Sequence, residues 1–151
     1  MSMTVRLLTS DTEIAKLCTM LLQLRPQYDG SGLIEQIKLQ RSEGYQLAYV
    51  EEVTEDNPDG DVLCVAGFVI GHKLAWQKHL YVDDLVSDAN SRSRGAGKLL
   101  LDWLQDYARQ QGCQQLHLDS GVTRFDAHRF YLREGMKIAS HHFSIDELNQ
   151  Q

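Results

Sequence analysis

The chain has 151 residues, 42% of them hydrophobic and 24% charged, which suits one globular domain and gives no argument for a disordered or fibrous architecture. A formal net charge of −6 argues against general affinity for nucleic acid, and no apolar run approaches the roughly 18 residues of a membrane span. The three cysteines, Cys18, Cys64 and Cys113, lie far apart with no C-x-x-C pair, so neither a disulfide framework nor a zinc site is expected.

Residues 4–8 alternate as a short strand and follow no basic-then-apolar leader, which makes cytoplasmic residence the expectation. Ser10 with Glu13 is a capping-box signal for a helix that ends before Pro26, its apolar stripe formed by Ile14, Leu17, Cys18, Leu21 and Leu22. A second helix is predicted over 31–43 and stops at Gly44. Residues 46–53 and 62–70 read as strands joined by an acidic hairpin loop, with Cys64 inside an apolar strand as core packing. Residues 80–86 form a third long strand, and an amphipathic helix starts near Gly95, with Ala96, Leu100, Trp103, Leu104, Tyr107 and Ala108 on one face and Gly112 at its end. A strand over 115–119 follows. Thr123, with Asp126 in the reciprocal position, caps a helix that ends at Gly135, and a final strand covers 136–143 before a polar tail. The order βααβββαβαβ is that of an α+β fold.

Local charge contrasts with the acidic whole. Residues 91–98 hold Arg92, Arg94 and Lys98 and no anion, beside Gly95 and Gly97. A strand, a cationic glycine turn and a helix in that order bind phosphate, because the first helical turn presents unpaired N–H groups and a positive dipole end. A P-loop is excluded, since Arg92 stands where its first Gly should be and Leu99 where its hydroxyl residue should be. The dinucleotide fingerprint G-x-G-x-x-G has Leu100 in place of its third Gly. The remaining alternative is a solvated basic loop.

Arg92-Ser93-Arg94-Gly95-Ala96-Gly97 matches the [QR]-x-x-G-x-[GA] signature and resembles the GNAT superfamily of N-acetyltransferases. Ala127, Tyr131, Gly135 and Met136 resemble the family's second helix motif, with Arg124 where many members carry Asn. The stretch 117–136 looks most like small bacterial members of the family. The resemblance implies a three-layer fold, a mixed but mostly antiparallel sheet flanked by helices, and acetyl-CoA as cosubstrate. It implies that N–H groups from Arg94 through Lys98 hold the pyrophosphate, assisted by Arg92 and Arg94, with Ser93, Gly95, Ala96 and Gly97 in the same turn. Leu85 and Val86 would supply a main-chain N–H to the thioester oxygen, and Ala127, Phe130 and Tyr131 would complete the cofactor contacts.

An ammonium must lose a proton before it attacks a thioester, so a base or a water path is needed. Asp83 and Asp84 lie in the apolar strand just before that position, and successive strand residues face opposite ways, so one of them is expected to line the cleft. Asp83 is favoured; pairing with an arginine or holding the substrate ammonium are the alternatives. By the resemblance, Tyr131 is the acid that protonates the leaving thiolate. His141 and His142 diverge in a strand, His117 and His128 have no partner at ligand spacing, and no metal site is expected. The expected activity is direct acetyl transfer to a primary amine of a small molecule, or to a protein lysine or N-terminus, by a protein that pairs as a homodimer and uses no nucleic acid or membrane. A non-catalytic CoA-binding sensor or interaction module is the reading from a different class.

Overall fold

The computed structural model describes residues 2–89 and 94–149, in two compact units, Met1–Leu118 and Asp119–Gln151. The first unit contains β1 (Ser2–Leu7), a 3-10 turn (Asp11–Glu13), α1 (Ala15–Leu24), α2 (Gly30–Ser42), β2 (Tyr45–Val53), β3 (Asp61–Lys73), β4 (Gln77–Ser87), α3 (Ala96–Gln110) and β5 (Gln115–Leu118). The strands form one sheet in the order β1-β2-β3-β4-β5; β1 to β4 are antiparallel and β5 runs parallel to β4.

Helices cover both faces, as the two apolar patterns require. On one face Leu17, Leu21, Leu33 and Ile37 of α1 and α2 bury against Tyr45, Leu47, Tyr49, Val65 and Val86. On the other, Ala96, Leu100, Leu104 and Ala108, at the helical repeat of α3, bury against Ala48, Val50, Cys64, Ala66, Phe68, Leu80 and Val82. Trp103 and Tyr107 stack at 4.9 Å between ring centroids and present edges to Phe68, so the predicted α3 stripe packs as a unit. Cys18 and Cys64 are buried in these cores, and burial pushes the Cys64 thiol up to about 11. A group so placed fills space and is not a thiolate nucleophile.

Several boundaries depart from the sequence pattern. Ser10 Oγ accepts from Thr12 N at 3.3 Å and caps the short 3-10 turn, while the Glu13 carboxylate accepts from Thr9 Oγ1 at 3.1 Å; α1 itself begins at Ala15. The side chain that would have closed a capping box is therefore spent on a neighbour. α2 is capped by Asp29, whose Oδ1 accepts from Gly32 N at 2.6 Å.

The second unit contains α4 (Phe125–Arg133). Its N-cap position is Arg124, with no side-chain cap bond, so Thr123 does not perform the expected capping. Gly135, at φ +94°, ends the helical run as predicted. The predicted last strand is corrected: residues 136–143 adopt no strand. A strand persists only with a ladder partner or a buried face, and Ile138 and Phe143 are 77% and 91% exposed.

Candidate active site

The centre of interest is the second half of β4. Its pairing with β3 runs from Phe68 opposite Val82 directly to Gly67 opposite Asp84, which leaves Asp83 as an extra residue, a β-bulge. The bulge resets the alternation. Leu80 and Val82 face α3, and an unbroken strand would put Asp84 beside them; instead Leu85 faces α3, and Val86 faces α1 and α2. Asp84 is thereby turned toward the α1/α2 layer, where it meets Arg25 and Tyr45.

The same place is where two strands part. β5 pairs with β4 from His79 opposite Gln115 to Val82 opposite Leu118, and no further. Beyond Val82, the edge of β4 over 83–87, which includes Leu85 and Val86, has no strand partner on the side away from β3 among the described residues. Main-chain polar groups on such an edge are available to a ligand.

Asp84 is the hub of a side-chain cluster drawn from three elements. Arg25, at the end of α1, donates from Nε to Asp84 Oδ1 at 2.9 Å and from Nη2 to the Asp83 carbonyl at 3.1 Å, and its Nη2 lies 2.9 Å from Asp84 Oδ1 in the same ion pair. Tyr45 of β2 donates from its hydroxyl to Asp84 Oδ2 at 2.6 Å. Burial, then the Asp84 charge, raise the Tyr45 pKa far above its ordinary value, so it stays a phenol donor. The Asp83 carboxyl is also raised, first by desolvation and then by the neighbouring Asp84 charge, with Arg25 opposing. Asp83 is nonetheless open to solvent.

Tyr45 reaches Asp84 by lying across β3 at Gly67, the residue paired with Leu47 on one side and Asp84 on the other. A Cβ on Gly67 would overlap the Tyr45 ring and hydroxyl. Gly67→Ala is therefore expected to displace the ring, break the bond to Asp84 and cost about 1–3 kcal/mol. Tyr45→Phe, which keeps the ring and loses one bond, costs about 1 kcal/mol. Chemical denaturation of the two variants measures the difference, and equal losses would show that the ring has room to move.

At the glycine turn, Gly95 adopts φ +88° as the N-cap of α3, a left-handed conformation that favours glycine, and it brings no side-chain cap bond. The first helical bond recorded there is Leu99 N to Gly95 O at 3.0 Å, so the N–H groups of Ala96, Gly97 and Lys98 precede the helical ladder. Arg94 is tied by Nη2 to the carboxylate of Glu52, a buried residue of β2, which fixes the residue just before the turn. Lys98 Nζ lies 3.3 Å from Asp102 Oδ2, an exposed pair of small energetic weight. Arg92 and Ser93 lie outside the described residues.

In the second unit, Tyr131 is buried at 9% exposure on α4, next to Phe130 at 5.5 Å between ring centroids, and its carbonyl accepts from Met136 N at 3.0 Å. Ala127 is on the same helix. His142 Nδ1 lies 2.7 Å from Asp119 Oδ2, and His128 Nε2 lies 2.7 Å from the Gly121 carbonyl. His117 stacks on Trp76 at 3.5 Å in the first unit.

The model of the acetyltransferase (GNAT) family matches residues 18–136. The chain belongs to the GNAT acetyltransferase family. It is 33% identical over 138 residues, 90% of this chain and 93% of the other, to an uncharacterized N-acetyltransferase, YhdJ, of Bacillus subtilis strain 168. It is 37% identical over 86 residues, 52% of this chain and 56% of the other, to the aminoalkylphosphonate N-acetyltransferase of Salmonella typhimurium strain LT2. The solved structure of AAC(6')-Iy in complex with the bisubstrate analogue CoA-S-monomethyl-acetylneamine has the same fold, with a TM-score of 0.80 at 15% identity over 97% of this chain and 98% of that one. An acyltransferase activity follows from the family and its N-acetyltransferase relatives.

Sequence reasoning reached Asp83, Asp84 and the glycine turn, and missed Arg25, Tyr45, Gly67 and Glu52. Only Gly67, a glycine inside a continuous apolar strand, carried a local signal of close approach.

Proposed function

We propose that residues 1–151 act as one domain that moves an acetyl group from acetyl-CoA directly to the primary amine of a small molecule. The observation that carries this reading is the parting of β4 from β5 after Val82, beside the bulge at Asp83. The turn supports it, because a helix entered through a glycine at φ +88° brings the positive end of the α3 dipole within close backbone approach of a pyrophosphate. The family match, which spans both units, supports a single working domain.

In this reading the backbone of 94–98 binds the phosphates, and a main-chain N–H at Leu85 or Val86 orients the thioester carbonyl. Asp83 accepts the proton of the substrate ammonium, directly or through water, and its raised pKa suits that task. The nitrogen lone pair then forms the N–C bond as the C–S bond breaks, the thiolate takes the Tyr131 proton, and the second nitrogen proton is lost to water, from which Tyr131 is reprotonated. Asp84, already bonded to Arg25 and Tyr45, acts as an anchor and not as the base. Thioester and ammonium become amide, thiol and one released proton.

Acetyl-CoA-dependent CoA release over a panel of small amines, an aminoalkylphosphonate and a lysine peptide tests the reading; turnover on small amines is expected. The kcat/KM profile should rise with pH through the Asp83 pKa, and Asp83→Asn should remove that limb and lower kcat by roughly 10²–10⁴-fold. Tight CoA binding with no turnover on any amine would replace the enzyme by a CoA-binding module.

A further inference from the structure

Beneath α1 and α2, a cavity of about 140 Å³ is lined by Leu21, Arg25, Tyr28, Gln36, Gln40 and Asp84, among others. Asp84, one residue beyond the bulge where β4 parts from β5, is part of that lining. A cavity of this volume holds a ligand of roughly benzene's size, too small for a folded protein surface and suited to a compact metabolite.

The polar groups on its wall are unusual for a structural gap. Asp84 accepts one hydrogen bond on each oxygen, from Arg25 Nε on Oδ1 and from Tyr45 on Oδ2, and four lone pairs are distributed over its two oxygens. It therefore retains acceptor capacity toward the cavity. Arg25 uses Nε and Nη2 on Asp84 and the Asp83 carbonyl; a guanidinium has five N–H donors, and those of Nη1 take no part in these bonds. Its side chain is 42% exposed, so the outer edge of the guanidinium is accessible. Gln36 and Gln40, bonded to each other at 3.0 Å, add neutral donors and acceptors and no further charge.

The wall is thus a fixed dipole, one anion and one cation side by side. We propose that this cavity is the acceptor pocket and that its ligand is a compact primary amine carrying its own anionic group, with the ammonium on Asp84 and the anion on the outer edge of Arg25. A ligand dipole laid antiparallel to the Arg25–Asp84 dipole completes an alternating ring of four charges, each with two opposite neighbours. A neutral amine leaves the guanidinium edge to water, and a diamine sets a second cation against it. Tyr45 and Gly67 are positioning residues here, because they hold the carboxylate that holds the ammonium. The inference rests on the acetyl-transfer reading for its placement but names what that reading leaves open, the acceptor class.

The test measures binding and turnover separately on the full chain. β-Alanine and 2-aminoethanesulfonate carry the anion, 3-aminopropanol replaces it with a hydroxyl, and 1,3-diaminopropane replaces it with a second cation. Calorimetry without acetyl-CoA and kcat/KM with it should both favour the two anionic amines over the other two by roughly tenfold or more, the worth of a charge-assisted contact. In Arg25→Gln that ratio should fall toward one, and the parent panel decides the matter even if this variant folds poorly. Equal or better use of 3-aminopropanol or 1,3-diaminopropane by the parent would keep the enzyme and overturn the zwitterion pocket. Selective binding of the anionic amines with no transfer to any amine would keep the pocket and overturn the acetyl-transfer reading. Absence of binding and turnover for both anionic amines would overturn the pocket outright.

Discussion

Tyr131→Phe is expected to lower kcat by roughly 10²–10⁴-fold while acetyl-CoA affinity stays near the parental value, the range found when a general acid is removed. The departing sulfur leaves as a thiolate, and with reference pKa values of about 10 for a phenol and about 8.5 for a thiol the proton transfer is only mildly uphill. Phe preserves the ring and the buried area of a side chain that is 9% exposed, so loss of packing would not produce such a fall. The measurement is single-turnover acetyl transfer with enzyme in excess, which isolates the chemical step from product release. A parental single-turnover rate in folded Tyr131→Phe would assign the proton to water and leave Tyr131 as a packing residue beside Phe130.

Gly97→Val should weaken CoA binding by roughly 10²-fold, about 2.8 kcal/mol at about 1.4 kcal/mol per tenfold. Gly97 stands in the first turn of α3, and in the proposed reading a phosphate approaching the backbone there would leave no space for a branched side chain. The helix itself should tolerate the change, because glycine is the poorer helix former of the two. Calorimetric titration with CoA reads the affinity, and thermal unfolding confirms the fold. Unchanged affinity in the folded variant would move the pyrophosphate away from this turn.

The α3 stripe and its glycine start were legible in the sequence because every clue is local: a 3.6-residue repeat and a glycine needed at positive φ. The cluster around Asp84 was not, because its members are 59 and 39 residues away and nothing in the sequence brings them together. Alternation along β4 indicated that Asp83 and Asp84 face opposite ways, yet it could not say which faces which, since the bulge that decides this is a property of the pairing with β3. The 136–143 segment failed for the complementary reason. Its composition is that of a strand, but β propensity expresses a fit to partners, and here the apolar side chains are exposed.

The bulge at Asp83 also means that β4 carries one residue more than its ladder with β3 can count. Removing that residue would leave Gly67 opposite Asp84 and keep Leu85 and Val86 on their present faces, so neither core would need to be rebuilt. Deleting that one codon is therefore expected to straighten β4 while leaving both cores filled. The bulge is a single residue long, separable from the side chains that hold the two layers together.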